Sequence, residues 1–283
     1  MSLINFIPTI WSARLLENLR TTLVYAQPNI INREYEGEIQ AKGDTVKINS
    51  IGPVTVGDYT KNADIAAPET LSDAQQTLTI TEQKFFNFQV DDIDRAQQNP
   101  KIMDAAMGEA AYAMARIVDT YVSAYFSGAL AANLVGDDTT PVVPTATTAY
   151  ETLVDLSVRL DEADIPPAGR YVVVPPWFHG LMLKDDRFVK VSGYGSNVIL
   201  LNGEVGQAAG FRVLKSNAVP NTIGAKYKIM AGHPTAITFA NQVNKVEGYR
   251  PEKRFADAVK GLHLYGSSLI RPSAIAIATC SKT

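Results

Sequence analysis

The sequence predicts an α+β fold organised around one long helix, and three observations point to it. Residues 99–128 carry apolar side chains at steps of three and four, which is the spacing of one helix face. Residues 45–57 and 76–90 alternate apolar and polar side chains, which is typical of strands. From residue 148 onward, helical and strand-like patterns follow one another. We therefore expect a mixed architecture with an extended part and a compact part.

The long helix has signals at both ends. Asn99 is a good N-cap, and Pro100 stands at the first helical position, where its missing N–H does no harm. Gly128 supplies a stop signal. A helix over this range would be a rod of about 45 Å. It is either a long core helix of an ordinary domain or the spine of an extended molecule. Its apolar stripe comprises Met103, Met107, Ala110, Met114, Ile117, Tyr121 and Tyr125.

Each predicted strand presents one apolar face, and the second strand is unusually long. Residues 76–90 would span roughly 50 Å, whereas a typical strand has about 5–6 residues. A two-stranded ribbon is marginally stable in water, so an apolar face of this length needs a covering surface. The neighbouring sequence offers little cover, and we infer that another copy of the chain provides it. The predicted contact residues are Val46, Ile48, Val54 and Val56 in the first strand, and Leu78, Ile80, Phe86 and Phe88 in the second.

The stretch before these strands predicts an amphipathic helix over residues 8–27. Pro8 begins it, Pro28 ends it, and Trp11 opens an apolar row that continues at steps of four. Such a helix either lies on the surface of its own domain or forms an arm that docks on a neighbouring copy. In the second case Trp11 is a contact residue.

The rest of the chain predicts a compact core. A Thr- and Pro-rich stretch, 137–147, is typical of a linker, and Thr148 with Glu151 forms a capping box for a helix through Ala163. The prolines Pro175 and Pro176 begin a further short helix. Strands are predicted at 171–174, 211–214, 226–231 and 236–239, and again within 261–279.

Charged residues crowd together between positions 242 and 260. Arg250, Lys253 and Arg254 alternate there with acidic residues. This segment is either an exposed face of mixed charge or an intersubunit contact, in which charges set register and partner choice more than affinity. Acidic residues at positions 34–38 and 91–94 would be complementary to it.

Composition excludes several classes of protein. The chain has 283 residues, 46% hydrophobic and 19% charged, with a formal net charge of -3, so nothing indicates a general grip on nucleic acid. The single cysteine, Cys280, excludes an intrachain disulfide framework. The N-terminus lacks the pattern of a secretory signal, and no apolar run reaches the ~18 residues of a membrane span.

The sequence predicts no catalytic, cofactor-binding or metal-binding site, and hence no enzyme. The histidines His179, His233 and His263 are far apart and lack the spacing of metal ligands. The glycine-rich stretch 203–210 lacks the Gly-Lys-Ser/Thr ending of a phosphate loop. A serine hydrolase using Ser196 or Ser267 with one of the histidines is an unfavoured alternative.

The order of these elements resembles the major capsid protein of tailed double-stranded DNA bacteriophages, with its Hong Kong 97-like capsid fold. The resemblance covers nearly the whole chain and is carried by residues 6–14, 43–59, 99–128, 209–217 and 266–278. It implies an N-terminal arm (1–42), an extended β-hairpin loop (43–90), a peripheral domain with the spine helix (91–148), an apical domain (149–243) and returning peripheral strands (244–283).

The resemblance also implies a function. Such chains self-assemble into hexamers and pentamers of an icosahedral shell, the virion capsid, which is assembled in the bacterial cytoplasm. The shell encloses double-stranded DNA without sequence-specific binding and involves no membrane. Portal, decoration and scaffolding proteins are possible partners, and a separate scaffolding protein is the expectation because the chain begins directly at the arm. Lys61 lies near the predicted hairpin tip, but no acceptor for a crosslink can be assigned. An encapsulin-type compartment is the alternative with the same fold.

Overall fold

The computed structural model describes residues 23–34, 45–51, 58, 61, 64, 73–91, 102–185, 206–222, 224–253 and 255–282. The α-helices in these ranges are α1 (Ile102–Ser123), α2 (Ala149–Glu162) and α3 (Pro176–Met182). The strands are β1 (Thr45–Ile51), β2 (Asp73–Thr79), β3 (Glu82–Asp91), β4 (Leu134–Val135), β5 (Tyr171–Val174), β6 (Gln207–Ala208), β7 (Phe211–Lys215), β8 (Asn221–Thr222), β9 (Lys226–Gly232), β10 (Ile237–Tyr249), β11 (Ala256–Leu269) and β12 (Ile275–Ser281).

The described strands form three sheets. Strands β1 and β2 make an antiparallel pair, and a second sheet has the order β10-β11-β3. The largest sheet has the order β4-β12-β9-β5-β7-β6, with β8 paired to β9. Strands β12 and β9 are antiparallel, whereas β5 and β7 are parallel, so this sheet is mixed. The presence of helices together with antiparallel and mixed sheets confirms the predicted α+β class.

The largest sheet is buried on both faces. In its central strand β5, Val172 and Val173 point to opposite faces, and both are fully buried. Val172 packs in a cluster with Leu153, Leu156 and Leu160 of α2. This two-sided burial explains why β5 is apolar without alternation.

Helix α1 packs beside the second sheet, with its buried side somewhat rotated from the predicted stripe. Ile117, predicted on the core side, is 43% exposed, and the helix ends at Ser123 with a 3-10 turn, Ala124–Gly128, after it. Residues 99–101 lie outside the described residues. The helix residues that are buried in the apolar clusters are Met107, Ala111, Met114, Ala115, Val118 and Val122.

Strand β2 crosses over β11 at close range. A Cβ atom on Gly266 would lie 2.4 Å from the carbonyl oxygen of Thr79 and 3.0 Å from the Cα of Ile80. Only glycine therefore permits this crossing without displacement of backbone. The crossing closes a buried cluster that consists of Ile48, Leu78, Ile80, Ala240 and Leu264.

Two predictions about local structure are wrong. Residues 76–90 do not form one long strand, because the chain leaves the extended ladder at Ile80 and Thr81, and β3 then pairs with β11 instead of continuing the hairpin. Residues 23–27 are not helical, because Asp119 binds their backbone amides in a turn. Residues 8–22 of the predicted helix lie outside the described residues.

The predicted domain boundaries remain predictions, but the sheets cross two of them. Strand β10 is continuous from Ile237 to Tyr249 and so runs through the boundary at 243–244, with a bulge between Val243 and Lys245. Strand β12 pairs with β9, and therefore belongs to the sheet of the predicted apical domain.

Candidate intersubunit surfaces and the N-terminal anchor

Residues 23–34, here called the N-terminal segment, are anchored to helix α1 by one buried carboxylate. The backbone N–H of Val24 donates to Asp119 Oδ2 at 2.8 Å. The N–H groups of Tyr25 and Ala26 donate to Asp119 Oδ1 at 3.0 and 3.3 Å. Three amides that would otherwise be buried without partners are thereby satisfied. Asp119 itself is only 4% exposed.

Burial raises the pKa of Asp119 from 3.8 to about 6, although the three N–H donors act in the opposite direction. The folded protein therefore binds this proton more tightly than the unfolded chain does. The resulting stabilisation is fully present below about pH 4 and is lost as the pH rises through about 6.

Apolar burial and a short backbone ladder hold the remainder of the N-terminal segment. Leu23, Tyr25, Ile30 and Ile31 are each at most 1% exposed. The N–H of Asn32 donates to the carbonyl of Ile237 at 3.0 Å, and the N–H of Phe239 donates to the carbonyl of Asn32 at 2.9 Å. This segment is therefore part of the core of the chain, where the sequence predicts only an arm.

The predicted apolar contact residues are largely covered by their own chain. Ile48, Leu78 and Ile80 are at most 7% exposed in the cluster under the β2 crossing. Phe86 and Phe88 are partly buried against Met107 and Ala111 of α1 and their neighbours. The second sheet and α1 therefore cover these five side chains at least in part, and their role in contacts between copies stays a prediction. Val54, Val56, Trp11 and the side chain of Val46 lie outside what the structure describes.

The predicted basic contact lies at the turn between β10 and β11. Arg250 and Lys253 are exposed there, and Arg254 lies outside the described residues. On the sheet leading to this turn, the Tyr249 hydroxyl donates to Asn87 Oδ1 at 3.2 Å, and Lys260 Nζ lies 5.2 Å from the Tyr249 ring centroid. Side-chain contacts thus connect the strands next to the turn, so the turn extends from a stabilised hairpin.

Sequence reasoning missed two exposed phenylalanines, Phe85 in β3 and Phe255 in the turn before β11. Phe85 is 78% exposed and Phe255 is 82% exposed. Phe85 is out of phase with the inward row of Phe86 and Phe88, and this adjacency is the signal that could have indicated it. Phe255 stands among charged residues, where no pattern distinguished it. Large exposed apolar side chains of this kind are candidates for contacts between proteins.

A groove of about 610 Å³ lies between α1 and the start of β3. Its lining includes Tyr112, which is 54% exposed, and the exposed Ile117. Tyrosine and arginine are the residue types that dominate binding energy at protein interfaces. The groove lining comprises Glu82, Lys84, Tyr112, Ala113, Arg116, Ile117, Thr120, Tyr121 and Tyr265.

No group of His, Cys, Asp and Glu among the described residues could hold a metal ion. Burial raises the pKa of the Cys280 thiol to about 12. Ser267 is 8% exposed, and its hydroxyl makes no hydrogen bond to a histidine within the described part of the chain, while Ser196 lies outside it. Within the same ranges, no helix has the length and apolar character needed to cross a lipid bilayer.

Several solved structures that are similar to this chain come from phages. Mycobacterium phage Che8 gives a solved structure with a TM-score of 0.72 and 27% identity, covering 90% of this chain and 90% of that chain. The capsid structure of Cyanophage P-SCSP1u has a TM-score of 0.64 and 16% identity, and the match covers 87% of this chain and 85% of that chain. The mature capsid of bacteriophage PhiM1 has a TM-score of 0.62 and 15% identity, and the match covers 86% of this chain and 84% of that chain. No curated protein sequence matches the chain.

The sequence profile described as "Phage capsid protein" matches residues 74–278, well over half of the chain. Together with the structural likenesses, this match confirms the predicted Hong Kong 97-like fold class and the resemblance to the phage capsid shell and its place in the virion. The encapsulin and hydrolase alternatives are not favoured. The chain therefore belongs to the phage capsid protein family.

Proposed function

We propose that this chain is a major capsid subunit that self-assembles into hexamers and pentamers of a closed icosahedral shell around phage double-stranded DNA. The family match over residues 74–278 is the observation that carries the proposal. Likeness over nine-tenths of the chain to a phage structure at 27% identity supports it. In this role the protein is structural and its work is mechanical.

Three surfaces are the proposed contacts between subunits. The first is the loop that the sequence predicts between β1 and β2, which includes Val54 and Val56. The second is the β10–β11 turn with Arg250, Lys253 and Arg254, next to the exposed Phe255. The third is the arm that the sequence predicts around Trp11, ahead of the anchored N-terminal segment. Each contact is weak by itself, and many contacts per subunit give a shell its avidity.

The near-neutral charge of the chain suits a container. A net charge of -3 gives the DNA little to bind and gives the copies little mutual repulsion. We propose that the shell holds DNA by enclosure and not by base recognition. Scaffolding, portal and decoration proteins are the partners proposed for assembly.

Electron microscopy of the purified protein tests this function. We expect closed icosahedral particles of uniform diameter. A protein that stays monomeric under all assembly conditions would contradict the proposal. Particles that carry an enzyme in place of DNA would support the encapsulin alternative.

Removing residues 52–72 and joining β1 to β2 by a short turn is expected to abolish shells and to leave a folded subunit. The buried residues Ile48, Leu78 and Ile80 all remain, so the cluster under the crossing is kept. Circular dichroism and thermal unfolding should match those of the intact chain, while electron microscopy shows no particles. Intact shells from this variant would refute a contact role for the hairpin.

Reversing the two described basic residues of the turn, Arg250→Glu with Lys253→Glu, is expected to slow assembly and to change its salt dependence. Both residues are exposed, so the fold should be unaffected. The control is Arg250→Lys with Lys253→Arg, which keeps both charges. Light-scattering assembly curves between low and high salt provide the measurement. Identical curves for both double variants would show that these charges are merely solvated.

A further inference from the structure

The imidazole of His263 occupies an unusual position in the core. It is 1% exposed, and neither ring nitrogen has a hydrogen-bond partner. Its ring centroid lies 5.2 Å from that of Tyr265, and the two rings are tilted by 35°. A neutral histidine can be accommodated there, but a protonated one would be a buried charge without a partner.

Arg33 is the cation that acts on His263, and a further ion pair lies on the same face of the sheet. Arg33 of the N-terminal segment lies near enough for its charge to act on the imidazole, and its guanidinium stands 5.2 Å from the Phe239 ring centroid. Lys84 of β3 is directly opposite His263 in the ladder, so the two side chains share one face of the sheet. Lys84 Nζ is paired with Glu82 at 3.1 Å. Helix α1 faces the same groove with Tyr112, Arg116 and Tyr121. The ring centroids of Tyr121 and of Tyr265 in β11 are 5.3 Å apart.

We propose that His263 is an acid-operated switch for the N-terminal segment: its protonation places a second positive charge beside Arg33 and loosens the segment from β10. The contact that would open is the short ladder at Asn32, whose N–H and carbonyl bind Ile237 and Phe239. This switch is a property of the single subunit, and it goes beyond shell formation and does not depend on it.

The lowered pKa of the His263 imidazole agrees with its buried, unpaired position. Burial, and to a smaller degree the charge of Arg33, lowers the pKa of His263 from 6.5 to about 4. The closed state therefore binds the proton less tightly than an open state with an ordinary imidazole. Closed-state stability is retained above about pH 6.5 and lost as the pH falls toward 4, which corresponds to an opening constant about 30-fold larger at pH 5 than at pH 7.5.

Hydrogen exchange of the Asn32 and Phe239 amides, corrected for intrinsic rates, tests the proposal on the unassembled chain. Asp119 titrates in the same acid range with the opposite sign, so the readout is the difference between wild type and His263→Phe at each pH. Wild type should lose about 30-fold more protection than His263→Phe between pH 7.5 and pH 5. The control His179→Gln removes a histidine of α3 instead, and these two amides should then behave as in wild type.

Equal pH dependence of the amides in wild type and His263→Phe would overturn the proposal. Because His263→Phe could fail to fold, a second measurement uses the wild type alone. Nuclear magnetic resonance of the three histidine side chains should show one imidazole titrating near pH 4 together with exchange broadening at Asn32. The switch would be refuted if all three imidazoles titrated near pH 6.5. It would also be refuted if His263 titrated while the signals of Asn32 stayed unchanged. Since neither readout involves particles, its failure leaves the shell function untouched.

Discussion

Asp119→Ala is expected to destabilise the folded subunit by about 3–5 kcal/mol, because three buried amides lose their acceptor. The amides belong to Val24, Tyr25 and Ala26, and the segment they anchor contributes fully buried side chains to the largest apolar cluster. Chemical denaturation at pH 7 measures the change. Exchange of the same three amides should become fast in this variant, while the amides in the middle of β9 stay protected.

Two controls distinguish the anchor from a general packing effect. Asp119→Asn retains a carbonyl oxygen of similar position and is expected to lose much less stability than the alanine variant. The deficit of Asp119→Ala relative to wild type should grow by about 1 kcal/mol between pH 7 and pH 5, because the wild-type carboxyl with its pKa of about 6 takes up a proton there. A deficit that shrinks over this range would contradict our account of Asp119.

Gly266→Val is expected to prevent β2 from crossing β11, with a loss of about 3 kcal/mol or more. The nearest obstacles to a Cβ atom are backbone atoms of Thr79 and Ile80, at 2.4 and 3.0 Å, which cannot rotate away. The cluster that contains Ile48 and Leu78 would open, and the β1–β2 pair would no longer pack on β11. Thermal unfolding measures the loss, and electron microscopy should show no regular particles.

Gly108→Ala is the matched control for this substitution. Gly108 lies in helix α1, and a Cβ atom there would meet nothing within 4 Å. Alanine is the better helix former by about 1 kcal/mol, so this variant should be slightly more stable than wild type. Comparable losses in the two variants would mean that the close crossing is not what requires glycine at position 266.

Local patterns predicted the elements whose cause is local. The spacing of apolar residues located α1, and the continuous apolar run at Tyr171–Val174 located β5. Pairing partners were not predictable in this way. The alternation of Phe86 and Phe88 is the same whether the strand extends a hairpin or joins β11, and the choice is made by residues far along the chain.

The candidate sites were predicted less completely, for a physical reason. Exposed charges such as Arg250 can be recognised in the sequence because they cluster. Asp119, in contrast, is a single acidic residue in a helix, and its sequence context is that of a solvent-facing residue. Its role depends on amides of a segment 95 positions earlier. Gly266 likewise owes its importance to a crossing with Thr79, which no local pattern reveals. The family resemblance was correct, whereas no local pattern indicated that Ile48, Leu78 and Ile80 are buried within their own chain.

The joining of distant parts of the chain bears on when the subunit can fold. Val24 meets Asp119 early in synthesis, but Tyr125 donates to the carbonyl of Ser267, 142 positions later, and β3 waits for β11. Pairings of such long range form slowly and leave strand edges open to other chains in the meantime. Nascent chains should therefore complete this sheet only after β11 has been synthesised, and the rate of this late step would limit the supply of subunits that are able to assemble.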